Sequence, residues 1–338
     1  MGAQGSRSSA EKAADELGPT TSEARLRTAE PKGLLARTPP EERTERIRFA
    51  ICEPLVDLGG VVFAGDDYAV RRREKSGDWL LVSATESDPC GIVADAGKVY
   101  WTESGTPENH FEDGRVVMAS FDGAEVIVLA DNQGSPAAMA KGEKGIYWLE
   151  SATGGLWRYS ASEGTEKIAE FPPDLRSWAH GHPALGMDAA NGYVAWANYG
   201  GKSNALRVVY ASEDGRERGV LAEFDRCEML PRDLLIHDRV VYFYTFCEEV
   251  DGLGRIEKLD VPSGEGQTVW EGSAFFLTVV SGRVVWGDEH GSVFSLSAKG
   301  RLIKHRQKLS LVEGATYVPS GDHVSWATPK EFGTLTLQ

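Results

Sequence analysis

A repeat of about 47 residues runs through this chain and limits its fold more tightly than any single motif. The clearest copy spans Pro89 to Ser135. Pro-Cys-Gly-Ile-Val-Ala-Asp at 89–95 leads to Val-Tyr-Trp-Thr-Glu at 99–103. After a polar loop come Gly-Arg-Val-Val-Met-Ala-Ser-Phe-Asp-Gly at 114–123 and Val-Ile-Val-Leu-Ala at 126–130. Four short runs of β-branched and aromatic residues, cut by Gly, Asp and Asn turns, predict the four strands of one β-propeller blade. Pro89, Pro136, Pro183 and Pro231 open successive units at spacings of 47, 47 and 48. A large aromatic marks each second strand: Phe63, Trp101, Trp148, Trp196, Phe243, Trp286 and Trp326. Seven markers predict an all-β, seven-bladed β-propeller of four-stranded antiparallel blades, with the aromatics packed between blades.

Third strands are expected near Tyr68–Arg73, Arg115–Phe121, Leu156–Ala161, Leu206–Ala211, Arg255–Val261, Ser292–Ser297 and Thr334–Leu337. The first six are followed by a polar turn and a fourth strand, whereas the last runs into Gln338. Ile47–Cys52, which belongs to no blade, is the expected donor of the missing strand, removing two open sheet edges. Residues 1–45 read as a disordered polar tail and 46–338 as the propeller. The tail has almost no large apolar residues, so burial cannot offset the entropy of ordering it. Eight basic and eight acidic residues lie in the first 46, which puts the net charge of −15 on the repeats. Such a charge repels phosphates and argues against nucleic-acid partners. No apolar stretch approaches the ~18–20 residues that span a bilayer, so no transmembrane segment is expected. The N-terminal residues lack the apolar centre of an export signal, which leaves the compartment open. A monomer is expected.

The pattern resembles the YWTD-like and TolB/NHL-like propeller repeats common in bacterial proteins, over residues 47–338. The resemblance is carried by the 89–103 stretch, by Pro-Ala-Ala-Met-Ala with Ile-Tyr-Trp-Leu-Glu (136–150), and by Pro-Ala-Leu-Gly-Met-Asp with Val-Ala-Trp-Ala-Asn (183–198). It implies a fold that hosts binders, scaffolds and enzymes alike. No Gly-His with Trp-Asp pairing supports a WD40 repeat. The chain is also similar to the virginiamycin B lyase family, which carries a catalytic His after the blade-opening Pro. Here Cys90, Ala137, Ala184 and Arg232 hold those positions, so that family's His-based chemistry is not expected. Serine chemistry lacks a Gly-x-Ser-x-Gly elbow.

Function on such a ring gathers on one loop face. The residues two beyond the markers are Gly65, Glu103, Glu150, Asn198, Thr245, Asp288 and Thr328. Glu103, Glu150, Asn198 and Asp288 are expected to point toward an axial funnel as oxygen ligands for a hard cation such as Ca²⁺. The competing expectation is that they are acids ending strands at a solvated rim. Trp178, His180 and His182 in the loop after Phe171, Tyr199 in Asn-Tyr-Gly-Gly, and His290 after Asp288 are the candidate ligand-binding residues. His110, in the 103–114 loop, is expected to be solvated. Cys227 and Cys247 flank one blade at the same face and are expected to pair; Cys52 and Cys90 precede neighbouring first strands. The preferred reading is non-catalytic recognition of a protein or small-molecule ligand at the loop face, with no catalytic residues. The alternative is a divalent-metal-dependent hydrolase or lyase, lactonase-like, using the acidic funnel.

Overall fold

The structure is a computed structural model of the chain. It describes residues 55–58, 61–66, 68–74, 76–171, 185–200, 205–225, 227–228, 234–247, 254–297, 299–308, 316–320, 323–327 and 332–336. Ile47–Cys52, the expected closing strand, and the tail lie outside these residues.

Among the described residues, alternation of apolar and polar residues between Gly-rich turns gives antiparallel strands, with one 3₁₀ turn at Pro107–Asn109. Among the described residues the strands form six sheets of four or five strands and a seventh of three. In chain order the sheets span 55–84, 89–133, 136–170, 185–224, 227–271, 274–308 and 316–336, hereafter sheets 1 to 7. Each runs in simple up-and-down order; in sheet 5 the first strand is split into Cys227–Glu228 and Leu234–His237, both paired to Val240–Cys247. The first strand of each sheet touches the first strand of the next. Thr316–Ser320 of sheet 7 touches Ala274–Val280 of sheet 6 and Leu55–Leu58 of sheet 1, so these contacts run in a cycle.

Each hydrophobic cluster but one joins two consecutive sheets. Val99 and Trp101 pack with Val70 and Val82 of sheet 1. Trp148 packs with Tyr100 and Met118 of sheet 2, Trp196 with Tyr147 and Leu156 of sheet 3, Phe243 with Leu206 and Val208 of sheet 4, and Trp286 with Leu235 and Ile256 of sheet 5. These five aromatics are at most 1% exposed. They face backward, toward the preceding sheet, as a period-two strand requires of equivalent positions.

Phe63 departs from its expected equivalence. It is fully buried, but it faces forward and packs against Phe121 of sheet 2, ring centroids 4.7 Å apart and planes tilted by 49°. Val62, packed instead with Leu55 and Ala64, holds the backward face. Counted from the first hairpin, the marker position of sheet 1 is Ala64, three residues after Val61 as Trp101 is three after Lys98, so the aromatic lies one residue before it.

The turns after the third strands lock the sheets together. In sheet 2, Ser120 Oγ donates to Asp122 Oδ1 and the Ala124 N–H donates to the same oxygen; Ser212, Asp214 and Arg216 repeat this in sheet 4. Gly123 and Gly215 close these turns at φ +71, and each presses on the outer strand of the preceding sheet. A Cβ at Gly123 would lie 2.5 Å from Val82 O, and at Gly215 2.7 Å from Ile168 O. Only glycine meets both demands.

Candidate functional site

The loop face is built where second strands end and third strands begin. Glu103, Glu150, Asn198 and Asp288 all lie at the end of a second strand or within two residues of it, in Lys98–Glu103, Ile146–Glu150, Tyr193–Gly200 and Arg283–Asp288. Their side chains follow the marker aromatics, two residues earlier on the same strand face, and turn back toward the preceding sheet.

Glu103 is 1% exposed and fully engaged. Trp101 Nε1 donates to Oε1 at 3.0 Å; Arg115 Nη2 at 2.6 Å and the Glu86 N–H at 3.1 Å donate to Oε2. Arg115 also reaches Glu86 Oε1 at 2.9 Å. Burial would lower the pKa of the Arg115 guanidinium, but its bonds to Glu103 outweigh burial and hold it above its ordinary value.

Glu150 has the same role in the next sheet. The Gly134 N–H donates to Oε1 at 3.0 Å, while Thr153 Oγ1 at 2.7 Å and Trp157 Nε1 at 3.0 Å donate to Oε2. Burial pushes its carboxyl up, yet these donors win and leave it below the usual carboxylate range. Both glutamates thus clamp the backbone that enters their sheet. Asp288 closes its own turn instead, accepting from the N–H groups of His290 at 2.9 Å and Ser292 at 2.7 Å. Asn198 Oδ1 accepts from Arg207 Nε at 3.1 Å, and its Nδ2 is buried without a hydrogen-bond partner among the described residues.

The structure therefore gives each of these four its own local partners. Among the described residues, no group of three or more His, Cys, Asp and Glu stands ready to hold a metal.

Sequence reasoning missed the arginines. Arg115, Arg207 and Arg255 sit directly across the ladder from Glu103, Asn198 and Thr245. Toward sheets 4 and 5 the acid becomes an amide and then a hydroxyl, while the arginine stays. The signal lay in the recurrence of Arg at the second residue of the third strand, in Gly114–Ser120, Gly254–Asp260 and, one later, Ala205–Ser212.

The 103–114 loop is held by its own side chains. Asp113 Oδ1 accepts from the Thr106 N–H, and Oδ2 from Thr106 Oγ1 and Asn109 Nδ2, each at 2.7 Å. These bonds hold the Asp113 carboxyl at about 2, well under its ordinary value. His110 and Phe111 both sit at positive φ, 55° and 60°. The Phe111 carbonyl accepts from the Ser135 N–H at 2.7 Å, tying the loop to the entrance of sheet 3. Pro107, Glu108, Asn109 and His110 are exposed at its tip.

Of the candidate ligand-binding residues, Trp178, His180 and His182 lie outside the described residues. Tyr199 lies within the second strand of sheet 4, paired with Leu206, rather than in a loop. His290 is exposed beside Glu289, with 3.7 Å between Nε2 and Oε1. Cys227 and Cys247 are direct ladder partners. Cys90 is disulfide-bonded.

No helix among the described residues is long and apolar enough to cross a membrane. No family model matches the chain, and no curated protein does. Solved structures do. The chain is similar to virginiamycin B lyase from Staphylococcus aureus, with a TM-score of 0.56 and 12% identity, over 85% of this chain and 94% of that one. It is similar to the computationally designed Ika8 protein, with a TM-score of 0.54 and 14% identity, over 84% and 82%. At such identities the likeness is one of fold alone. The chain shares with these structures an all-β, propeller-like fold.

Proposed function

We propose that this chain is a seven-bladed β-propeller, its last blade completed by Ile47–Cys52, that recognises a protein or small-molecule ligand at its loop face without catalysis. The observation that carries the reading is the 104–113 loop. It exposes four residues at its tip while Asp113 fixes its base, and the tip turns back through His110 and Phe111, two consecutive non-glycine residues at positive φ. Strained backbone held in one shape costs free energy and points to a use for that shape. A loop ordered in advance binds without a further ordering penalty. Trp178, His180, His182, Tyr199 and His290 extend the same proposed surface.

The test is a thermal-shift screen of the whole chain against sugars, small carboxylic acids and short peptides, with hits repeated on Glu108→Ala/His110→Ala. Neither side chain has a structural bond among those described, so the variant's own melting stays put. A ligand shift that is lost in the variant supports the reading, and one that is fully retained sinks it.

The alternative, a metal-dependent hydrolase or lyase at Glu103, Glu150, Asn198 and Asp288, is tested in the same instrument. After EDTA, titration with Ca²⁺, Mg²⁺, Mn²⁺ or Zn²⁺ is expected to leave the melt unchanged, since these oxygens already have protein donors. A specific site would add about 2.7 kcal/mol at a hundredfold excess over Kd. A saturable shift, lost in Glu103→Gln/Glu150→Gln, would replace the binder with the enzyme.

A further inference from the structure

The outer hairpin of sheet 6 inverts the charge of the molecule. In a chain of net charge −15, the stretch from Gly291 to Lys308 carries Lys299, Arg301, Lys304, Arg306 and Lys308 and no Asp or Glu. Lys299 and Arg301 are exposed in the turn, and Lys304 is exposed in the outer strand Leu302–Lys308. Among the described residues none of these three forms an ion pair; Lys304 Nζ rests over the Phe294 ring at 5.4 Å. Leu302, beside them, is 48% exposed.

The strand order of sheet 6 ends on Leu302–Lys308, so its outward N–H and C=O groups have no ladder partner among the described strands. Lysines on an edge are an ordinary defence against accidental pairing. Such a defence would be needed on every outer strand, yet no other described one carries more than a single Lys or Arg, Lys167 in Gly164–Glu170 and Arg218 in Arg218–Phe224. Trp79–Ala84 carries no charge, and Val126–Gln133, Gly164–Glu170, Arg218–Phe224 and Gly266–Glu271 each include an acid. The cations are concentrated on one edge.

We propose that the outer strand of sheet 6 is a docking edge for an acidic, extended segment of a partner protein. The partner's backbone would add a strand to the open ladder, and its carboxylates would meet Lys299, Arg301 and Lys304. An extended polypeptide uses both the backbone groups and the cations, whereas a phosphate polymer uses only the cations and leaves the open ladder unpaired. The surface is separate from the loop face. Antiparallel order puts the Ser297–Arg301 turn at the opposite end of the sheet from the Asp288–Ser292 turn, so failure here leaves the loop-face reading intact.

The experiment is fluorescence anisotropy at low salt on the whole chain, with a fluorescein-labelled peptide of alternating Glu and Thr. Saturable binding is expected. The variant Lys299→Glu/Arg301→Glu/Lys304→Glu is expected to weaken it by about tenfold or more with an unchanged melt. If that variant melts early, Lys299→Gln/Arg301→Gln, confined to the turn, takes its place with the same expected direction. An alternately N-methylated copy of the peptide, equal in charge but unable to complete a ladder, is expected to bind as weakly. The proposal is overturned by absence of binding, by equal binding to the charge variants, or by equal binding of the N-methylated peptide. Tighter binding of oligothymidylate or of phosphatidylserine vesicles overturns it too.

Discussion

The seam between sheets 1 and 2 and the seam between sheets 3 and 4 use one backbone device and opposite side chains. In sheet 2 the residue after the third strand is Phe121; in sheet 4 it is Glu213. The Phe121 N–H donates to Gly97 O at 3.0 Å, and the Glu213 N–H to Gly192 O at 2.9 Å, both within the sheet's own first turn. The Phe121 carbonyl accepts from Arg72 Nη1 at 3.0 Å and the Glu213 carbonyl from Arg158 Nη1 at 3.2 Å, each arginine belonging to the preceding sheet. Beyond that the seams diverge. Phe121 packs its ring, tilted, against Phe63. Glu213, 1% exposed, accepts from the N–H groups of Glu143 at 3.0 Å and Lys144 at 2.8 Å in the first turn of sheet 3. Arg158 holds Glu163 and Glu166 beside it, and burial pushes the neighbouring Tyr147 hydroxyl up, well above its ordinary value. The backbone sets where a sheet grips its neighbour, and the side chain sets how. A polar grip depends on every donor having its acceptor; an apolar grip depends only on contact area.

That contrast can be broken in graded steps. Glu213→Ala removes the acceptor for two backbone donors and should cost about 4 kcal/mol in urea melts. Gly215→Ala and Gly123→Ala attack the shared device and should each cost about 3 kcal/mol, through a Cβ against a carbonyl at positive φ. A large difference between these two would mean that the seams do not share it. Phe121→Ala loses partly buried ring contacts without stranding a donor and should cost about 2 kcal/mol. A cost equal to that of Glu213→Ala would end the distinction drawn here.

The smallest effect is local, at Asp113. Its lowered folded pKa means that the loop is tightened while the carboxylate is charged, fully so above the ordinary value of 3.8, and loosened as pH falls toward about 2. Amide protection in residues 105–113, taken relative to the intrinsic exchange rate at each pH, should fall over that window and be low at every pH in Asp113→Ala. Unchanged protection would remove the carboxylate from the loop's architecture.

The repeat, the strand positions and the buried markers were legible because each rests on a local pattern: period two within a strand and turn residues between strands. The third strands fall within about two residues of where the sequence puts them. Phe63 misled because Val61, Val62, Phe63 and Ala64 form an unbroken apolar run, in which periodicity cannot say which residue faces which neighbour. The direction of Glu103 and Glu150 was readable from the alternation that also buries the tryptophans. Their partners were harder, since the N–H groups they accept belong to connections 16 and 17 residues away. Glu213 left no local trace of its role, because its carboxylate oxygens serve a turn 69 and 70 residues earlier.

The side chain after each third strand also bears on how such a chain could be rearranged. Repeats of similar length look interchangeable, yet a copy of sheet 4 placed after sheet 1 would drive the Glu213 carboxylate toward Phe63, with no turn donors shaped to receive it. A copy of sheet 2 placed after sheet 3 would set Phe121 over the N–H groups of Glu143 and Lys144 and leave them dry. The order of the units is written into unlike locks at their borders. Shuffling or duplicating one unit therefore requires rewriting the border on each side.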